Sequence, residues 1–396
     1  MLGLSKVISQ VTDSRKRPRR TTEQVISGVL IMLLTRLGSL NALEKTKEAS
    51  FWKNKCRTIL PSADSIARIM TCVDPATLRA GLHQLYTRLK RNKAIVSRWQ
   101  GLIPVILDGH ESHATYHRHC AFCLERMVHK AQGDRTQYYH RHITALLVVD
   151  DFYFLLDAEQ QQPGEDEVAC AIRLLERLFK TYPRAFDLVL GDALYTDPRF
   201  YHCVTAHGKK VLTVLKDDRR DLIQDARGLF ALQEPQNFSL GKKQVTCWDV
   251  SGLTSWSQFQ NGSVRVVMSE EIQSVRRQLT KQEEEIQSTW MWVTTLFPSQ
   301  AKTQTVVQLG HLRWAIENQG FNETVQHWHA DHVYRHESCA MQNFCLVMMI
   351  AYNLFHAFFR RNLKPIIRKG RSYIEVAKMM LAELYAGIRL QAMNSS

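Results

Sequence analysis

The sequence predicts an α/β protein: a mixed sheet with covering helices, preceded by a basic all-helical segment and interrupted by a β-rich stretch. Three observations predict it. Short apolar runs of strand length alternate with helical patterns between residues 102 and 216. Positive charge is concentrated ahead of that region, and residues 235–297 are rich in Thr, Val and Trp.

The elements follow in order. Arg15-Lys-Arg-Pro-Arg-Arg20 reads as a mobile basic arm, because like charges repel and Pro18 interrupts a helix. Thr21-Thr-Glu-Gln is an N-cap signal leading into an apolar helix through Leu34. Ser62 caps a second helix. Pro75 opens a third that ends near Lys93, with Leu78, Leu82, Leu85 and Leu89 at helical spacing. Leu102–Asp108 is apolar enough for a strand buried on both faces. His142–Val149 and Phe152–Asp157 read as a hairpin across Asp150-Asp151. A helix over residues 165–181, a strand at Leu188–Asp192, a helix at Asp197–Ala206 and a strand at Val211–Lys216 complete the order β-β-β-α-β-α-β. Gln244–Val250, Ser263–Met268 and Thr289–Thr295 are the strands of the insertion, and helices return at 303–322, 338–361 and 372–392. The boundaries expected are 1–97, 98–234, 235–298, 299–362 and 363–396.

Composition excludes several classes. The chain has 396 residues, 45% of them hydrophobic, with 16 Phe, 12 Tyr and 8 Trp, which is too apolar for a disordered protein. No run reaches the ~18 uninterrupted apolar residues of a membrane span. Gly28–Leu34 and Cys345–Phe359 read as buried helices, and no membrane partner is expected. Nine cysteines and no signal-peptide pattern suggest reduced thiols and a cytoplasmic location. The net charge is +14, and residues 1–100 hold 19 Lys and Arg against 6 Asp and Glu, so a polyanion-binding module precedes a near-neutral remainder. There is no phosphate-binding Gly-rich loop with Lys and no His-Glu-x-x-His, so neither ATP hydrolysis nor metalloprotease chemistry is supported.

Three carboxylates stand out by position. Asp108 ends the first strand and precedes Gly109, Asp192 ends the fourth inside Gly191-Asp-Ala-Leu-Tyr195, and Glu317 lies four residues after Arg313 on a helix over 308–320. A carboxylate at the end of an apolar strand is costly to bury alone. Three around one site suit Mg²⁺, whose shell substrate phosphates complete, and two such ions clamp an in-line phosphoryl transfer. The plainer alternative is that Asp108 and Asp192 cap turns and that Arg313 and Glu317 form a surface pair.

Leu107-Asp-Gly-His-Glu-Ser112, Leu190-Gly-Asp-Ala-Leu-Tyr195 and His311-Leu-Arg-Trp-Ala-Ile-Glu-Asn-Gln-Gly-Phe-Asn322 together resemble a DDE transposase of the bacterial insertion-sequence class whose type member is insertion sequence four. The resemblance spans roughly 100–360 and implies an RNase H-like core. It also implies a catalytic triad of Asp108, Asp192 and Glu317 on Mg²⁺ or Mn²⁺, with Arg313 orienting Glu317 or neutralising a phosphate. Element ends would be cut and the 3′-hydroxyl joined to target double-stranded DNA. Pairing of two ends implies a homodimer. The class pattern places Tyr where Gly310 stands and Lys where Thr324 stands, so terminal-phosphate contacts must come from elsewhere, with His311, His327 and Trp314 at hand. A nuclease of the same fold that cuts without joining, or a non-catalytic regulator, are the alternatives.

Residues 108–142 also hold many soft ligands: His110, His113, His117, His119, Cys120, Cys123, His129, His140 and His142. Cys120-x-x-Cys123 has zinc-knuckle spacing, so a structural Zn²⁺ on Cys120, Cys123 and His140 is a candidate, with His117 or His119 fourth. For DNA, Arg15, Lys16, Arg17, Arg19 and Arg20 are placed to meet phosphates. Arg88–Lys93 and the basic residues Lys209, Lys210, Lys216, Arg219, Arg220, Arg276 and Arg277 are further candidates. Trp248, Trp256, Trp290 and Trp292 either form the core of a small β unit or stack on a flipped base.

Overall fold

The computed structural model describes residues 4–95, 99, 101–117, 120–131, 133–149, 152–216, 220–259, 262–276 and 282–386. His119, Arg219 and Arg277 lie outside the described residues, as do residues 387–392 of the helix expected over 372–392.

Six helices open the chain: α1 (Leu4–Ser9), α2 (Thr22–Leu34), α3 (Leu40–Glu44), α4 (Ser50–Asn54), α5 (Ala63–Met70) and α6 (Pro75–Arg91). Thr21 and Gln24 form a capping box at α2, Ser62 caps α5, and Asp74 caps α6 ahead of Pro75. The basic arm is tied at both ends by hydrogen bonds. Asp13 bridges to Val73 and accepts from both Arg15 and Thr22. Arg15 is thus occupied, whereas Lys16, Arg17, Arg19 and Arg20 are exposed.

The sheet begins with β1 (Pro104–Thr115), β2 (Leu124–Val128), β3 (Arg135–Val149) and β4 (Phe152–Gln160). Helix α7 (Glu167–Thr181), β5 (Leu188–Gly191), α8 (Pro198–Ala206), β6 (Lys210–Val214) and α9 (Arg220–Phe230) follow. The insertion supplies β7 (Gln236–Leu240), β8 (Lys243–Leu253), β9 (Val264–Arg276) and β10 (Glu283–Thr294). The strand order is β2-β3-β1-β5-β6-β10-β9-β8-β7, with β4 also on β3. The insertion is therefore no separate β unit: β10 pairs antiparallel with β6 through Trp292 and Val214, extending one sheet. β1 is also longer than its apolar run, so Asp108 does not end it.

The chain closes with α10 (Thr303–Leu312), a π-helical turn at Ile316–Asn322, α11 (Glu323–Trp328), α12 (Ser338–Ala357), a second π-helical turn, α13 (Pro365–Arg368) and α14 (Tyr373–Tyr385). Ser338–Asn362 is apolar enough to cross a membrane by composition, but it is buried among α2, α6 and β4. Leu346, Val347, Ile350 and Ala351 on it are almost wholly inaccessible. Each large apolar side chain so placed contributes about 1.5–3 kcal/mol. The N-terminal helices and the sheet consequently share a continuous core.

Ion pairs buried under α6 join the helical segment to the sheet. Asp157 on β4 accepts from Arg79 Nε of α6 at 3.0 Å and Arg177 Nε of α7 at 2.6 Å. Glu159, two residues on, is paired with Arg173 and Arg177. A buried carboxylate depends on such partners, since removing one leaves charge uncompensated. Arg79→Gln is expected to cost about 2 kcal/mol in urea unfolding, because Arg177 still holds Asp157.

Candidate active site

β1 pairs with β3 past Asp108, which faces Thr144, but pairs in parallel with β5 only from Pro104 to Ile106. The two strands therefore diverge just before Asp108. Asp192 comes at the matching place, two residues past Leu190, the partner of Ile106. Such a divergence of parallel strands opens a crevice at their carboxyl ends, where ligands bind in open α/β sheets. Gly191 is required at the turn: a Cβ there would lie 2.7 Å from Tyr195 Cδ2.

Local hydrogen bonds orient both aspartates. Asp108 Oδ1 accepts from the Gly109 amide at 2.8 Å, and Asp192 Oδ1 caps a short 3₁₀ turn by accepting from the Leu194 amide at 2.9 Å. The capping roles and a role in chemistry are thus compatible. The third carboxylate arrives on the π-helical turn, which packs on β1. Arg313 Nη1 donates to Glu317 Oε1 at 3.0 Å and stands 3.7 Å from Asp108 Oδ2, so one guanidinium spans two of the three acids. Its plane lies over the Trp314 ring, 4.3 Å from the centroid. Arg313 and Glu317 are therefore more than a surface pair; the arginine side chain is 9% exposed.

Electrostatics mark Asp108 out. Burial pushes its carboxyl up to about 7; the Asp192 charge adds to this, Arg313 opposes it, and Glu317 adds a smaller increment. The charges of Asp192 and Glu317 both bear on Asp108, and an all-oxygen set of this kind suits a hard divalent ion.

A fourth acid that sequence inspection overlooks lies behind them. Glu167, in the first turn of α7, accepts from Tyr195 Oη at 2.9 Å and Arg141 Nη1 at 2.9 Å. Its Oε1 is 2.6 Å from where a Cβ on Gly109 would stand. Burial holds its carboxyl above the usual range. In sequence it looks like an ordinary acidic residue at a helix start; only the spacing of Gly109 from the strand core hints at a close neighbour.

An open groove runs from Asp192 along the insertion, lined by Lys216, Arg227, Met268 and Trp290. Of the four tryptophans, Trp256 and Trp292 are buried core residues, while Trp248 and Trp290 are half-buried. Trp290 packs edge-on against Trp314, which is 38% exposed. His311 is engaged by Glu271, which, despite its burial, His311 and Lys243 hold down at about 2. Thr324 is buried and donates to the Phe321 carbonyl at 3.1 Å. Lys209 is likewise held, donating to the carbonyls of Pro183 and Phe186.

Away from the acids, Cys120, Cys123 and His140 do come together; His119 lies outside the described residues, and among those described the fourth member is not His117. It is His336, in the loop between α11 and α12.

Residues 71–354, well over half the chain, match the family described as the transposase DDE domain. No curated protein matches the chain.

Proposed function

Because the chain belongs to the transposase DDE-domain family, we propose that it cuts the ends of a mobile DNA element and joins the freed 3′-hydroxyl to target DNA. Its mixed sheet with flanking helices is the RNase H-like arrangement of that family, whose members are metal-dependent DNA-cutting enzymes. What supports the reading is that Asp108 and Asp192 stand where β1 and β5 part, that the Asp192 charge acts on Asp108, and that Arg313 bridges Asp108 and Glu317.

Asp108, Asp192 and Glu317 would hold Mg²⁺ or Mn²⁺. Two bound ions would supply Lewis-acid activation of the attacking oxygen and neutralise charge on the leaving one. The protein's own groups do the rest. The Gly109 and Leu194 amides fix the carboxylate planes, and Arg313 holds Glu317 toward Asp108 while its charge offsets a phosphate. No covalent protein–DNA intermediate is needed, since water and then the DNA hydroxyl are the nucleophiles. Lys216, Arg227 and Trp290 give the groove beside Asp192 the charge and stacking surface that a DNA end requires. Lys16, Arg17, Arg19 and Arg20, with the N-terminal helices, would grip the terminal repeats, two chains pairing two ends in the bacterial cytoplasm.

DNA carrying the inverted repeats that flank the gene is the substrate for the test. The wild type is expected to nick it with Mg²⁺ or Mn²⁺ and to join a pre-cleaved end. Asp192→Asn should lower cleavage at least ~1,000-fold while leaving DNA affinity within about twofold. Cutting without joining would make the protein a nuclease, and no cutting with either ion would favour a regulator.

A further inference from the structure

We propose that Cys120, Cys123, His140 and His336 bind one structural zinc ion, which pins the loop after the Glu317 helix to the β1–β3 ribbon. The proposal goes beyond the phosphoryl-transfer reading and does not depend on it.

The four ligand atoms come from three remote stretches of the chain: the β1–β2 loop, β3, and residue 336 between α11 and α12. Five of the six separations match the edges of a metal-centred tetrahedron, and the sixth, Cys120 to His336, is within 4.8 Å. The two sulfurs are 3.7 Å apart and the two Nε2 atoms 3.4 Å. Sulfur-to-nitrogen distances are 3.6 Å for Cys120–His140, 3.3 Å for Cys123–His140 and 3.6 Å for Cys123–His336. Zinc bonded to sulfur and imidazole at ordinary lengths sets these edges at about 3.8, 3.4 and 3.6 Å. A disulfide is excluded, since its sulfurs would be ~2.05 Å apart. Two sulfurs and two imidazole nitrogens converge within 4.8 Å of one another, and an S₂N₂ tetrahedron selects zinc among divalent ions.

The surroundings are built for a ligand role. His140 is fully buried, and its Nδ1 meets the Gln160 amide at 2.7 Å; the far end of that amide meets Ser338 Oγ at 2.8 Å. With the Gln160 amide turned over, so that its Oε1 accepts from His140 Nδ1–H and its nitrogen donates to Ser338 Oγ, His140 Nε2 is left unprotonated to face the metal. On binding, the two thiols lose their protons to solvent and the zinc loses water.

Position gives the site its purpose. β1, which carries Asp108, pairs through Ser112 with His140, and its His110 reaches Asp331 of the loop at 3.0 Å. His113 on the same strand packs edge-on against His336. The loop follows α11, which itself follows the turn bearing Glu317. Zinc would thereby fasten the chain on both sides of the acidic crevice without touching the reacting atoms, making the four ligands positioning residues.

Full-length protein purified without chelator is expected to hold one zinc per chain, measured by plasma mass spectrometry. Cobalt in its place should give the intense ligand-field bands of a tetrahedral S₂N₂ site. His336→Ala should weaken zinc at least ~100-fold, and His336→Cys should keep it. Removing zinc should speed amide exchange over residues 329–337 and 124–128 while leaving α2 unchanged. A folded wild type that is zinc-free and whose thiols react equally with and without added zinc would overturn the proposal. So would undiminished affinity in His336→Ala, or exchange over 329–337 that zinc does not alter. If His336→Ala does not fold, the wild-type zinc and cobalt measurements decide alone. None of these readouts uses DNA or magnesium, so they fail or succeed separately from the transposition test.

Discussion

Asp108→Asn is expected to stabilise the metal-free protein by about 4 kcal/mol above about pH 8 while abolishing strand cleavage. Asp108 titrates near 7 in the fold because burial and the charge of Asp192 disfavour its anion. In the unfolded chain it titrates near 3.9. A carboxyl raised on folding contributes its stability fully below the lower value, and that contribution is lost as pH climbs to the higher one. The metal-free wild type should therefore weaken between about pH 4 and 7, and the asparagine variant should lack this component. The same carboxylate is the one a divalent ion needs. Magnesium should thus raise the melting temperature of the wild type and leave that of the variant unchanged. Calorimetry at several pH values, with and without Mg²⁺, checks both halves. A variant less stable than wild type at pH 8 would show that Asp108 is not held against its charge.

The second large effect concerns Gly310, where the resembled pattern has tyrosine. A Cβ at this position would lie 2.3 Å from Trp292 Cε2, and Trp292 is 1% exposed. The ring cannot retreat easily, being wedged beside Trp290 and His311. Gly310→Tyr should cost more than ~3 kcal/mol, at or beyond the usual limit for overpacking, and Gly310→Ala should already cost about 2–3 kcal/mol. Trp292→Ala alone should cost about 3–5 kcal/mol. Combining Gly310→Ala with Trp292→Ala should recover about 2 kcal/mol of the summed loss, because the second change vacates the space that the first demands. Strict additivity in guanidinium unfolding would show that the two positions do not compete. The absence of the tyrosine is thus a packing exchange: β10 brings an indole to the place its ring would need.

These residues also show what the sequence could and could not convey. The strands at 102–108, 142–149 and 188–192 were legible because burial on both faces makes apolar runs. The continuation of β1 to Thr115 was not, since past Asp108 the strand turns to His, Glu and Ser and pairs with an equally polar stretch of β3. Asp108, Asp192 and Glu317 were found by their places at the ends of apolar runs and on a helix. Glu167 was missed because an acid in a first helical turn has an ordinary explanation. Cys120 and Cys123 announce themselves by local spacing, but His336 lies 196 positions beyond His140, and no short-range pattern can join them. Nor did the arginine-rich arm reveal its anchoring: Asp13, which accepts from Arg15 and Thr22, lies just outside the run of like charges.

The π-helical turn at Ile316–Asn322 separates two duties along a single rod. Each residue of an ordinary helix rotates its successor by about 100°, so one surplus residue offsets everything before it from everything after by roughly that angle. Downstream, Glu323 can stay locked to His356 and Trp328 can lie beneath the Arg36 guanidinium, whatever direction Glu317 must take upstream. Orientation of the acid and attachment of the rod are consequently adjustable one without the other. Loss of a single residue within the turn would couple them again, swinging either the carboxylate off β1 or the anchor off its seat.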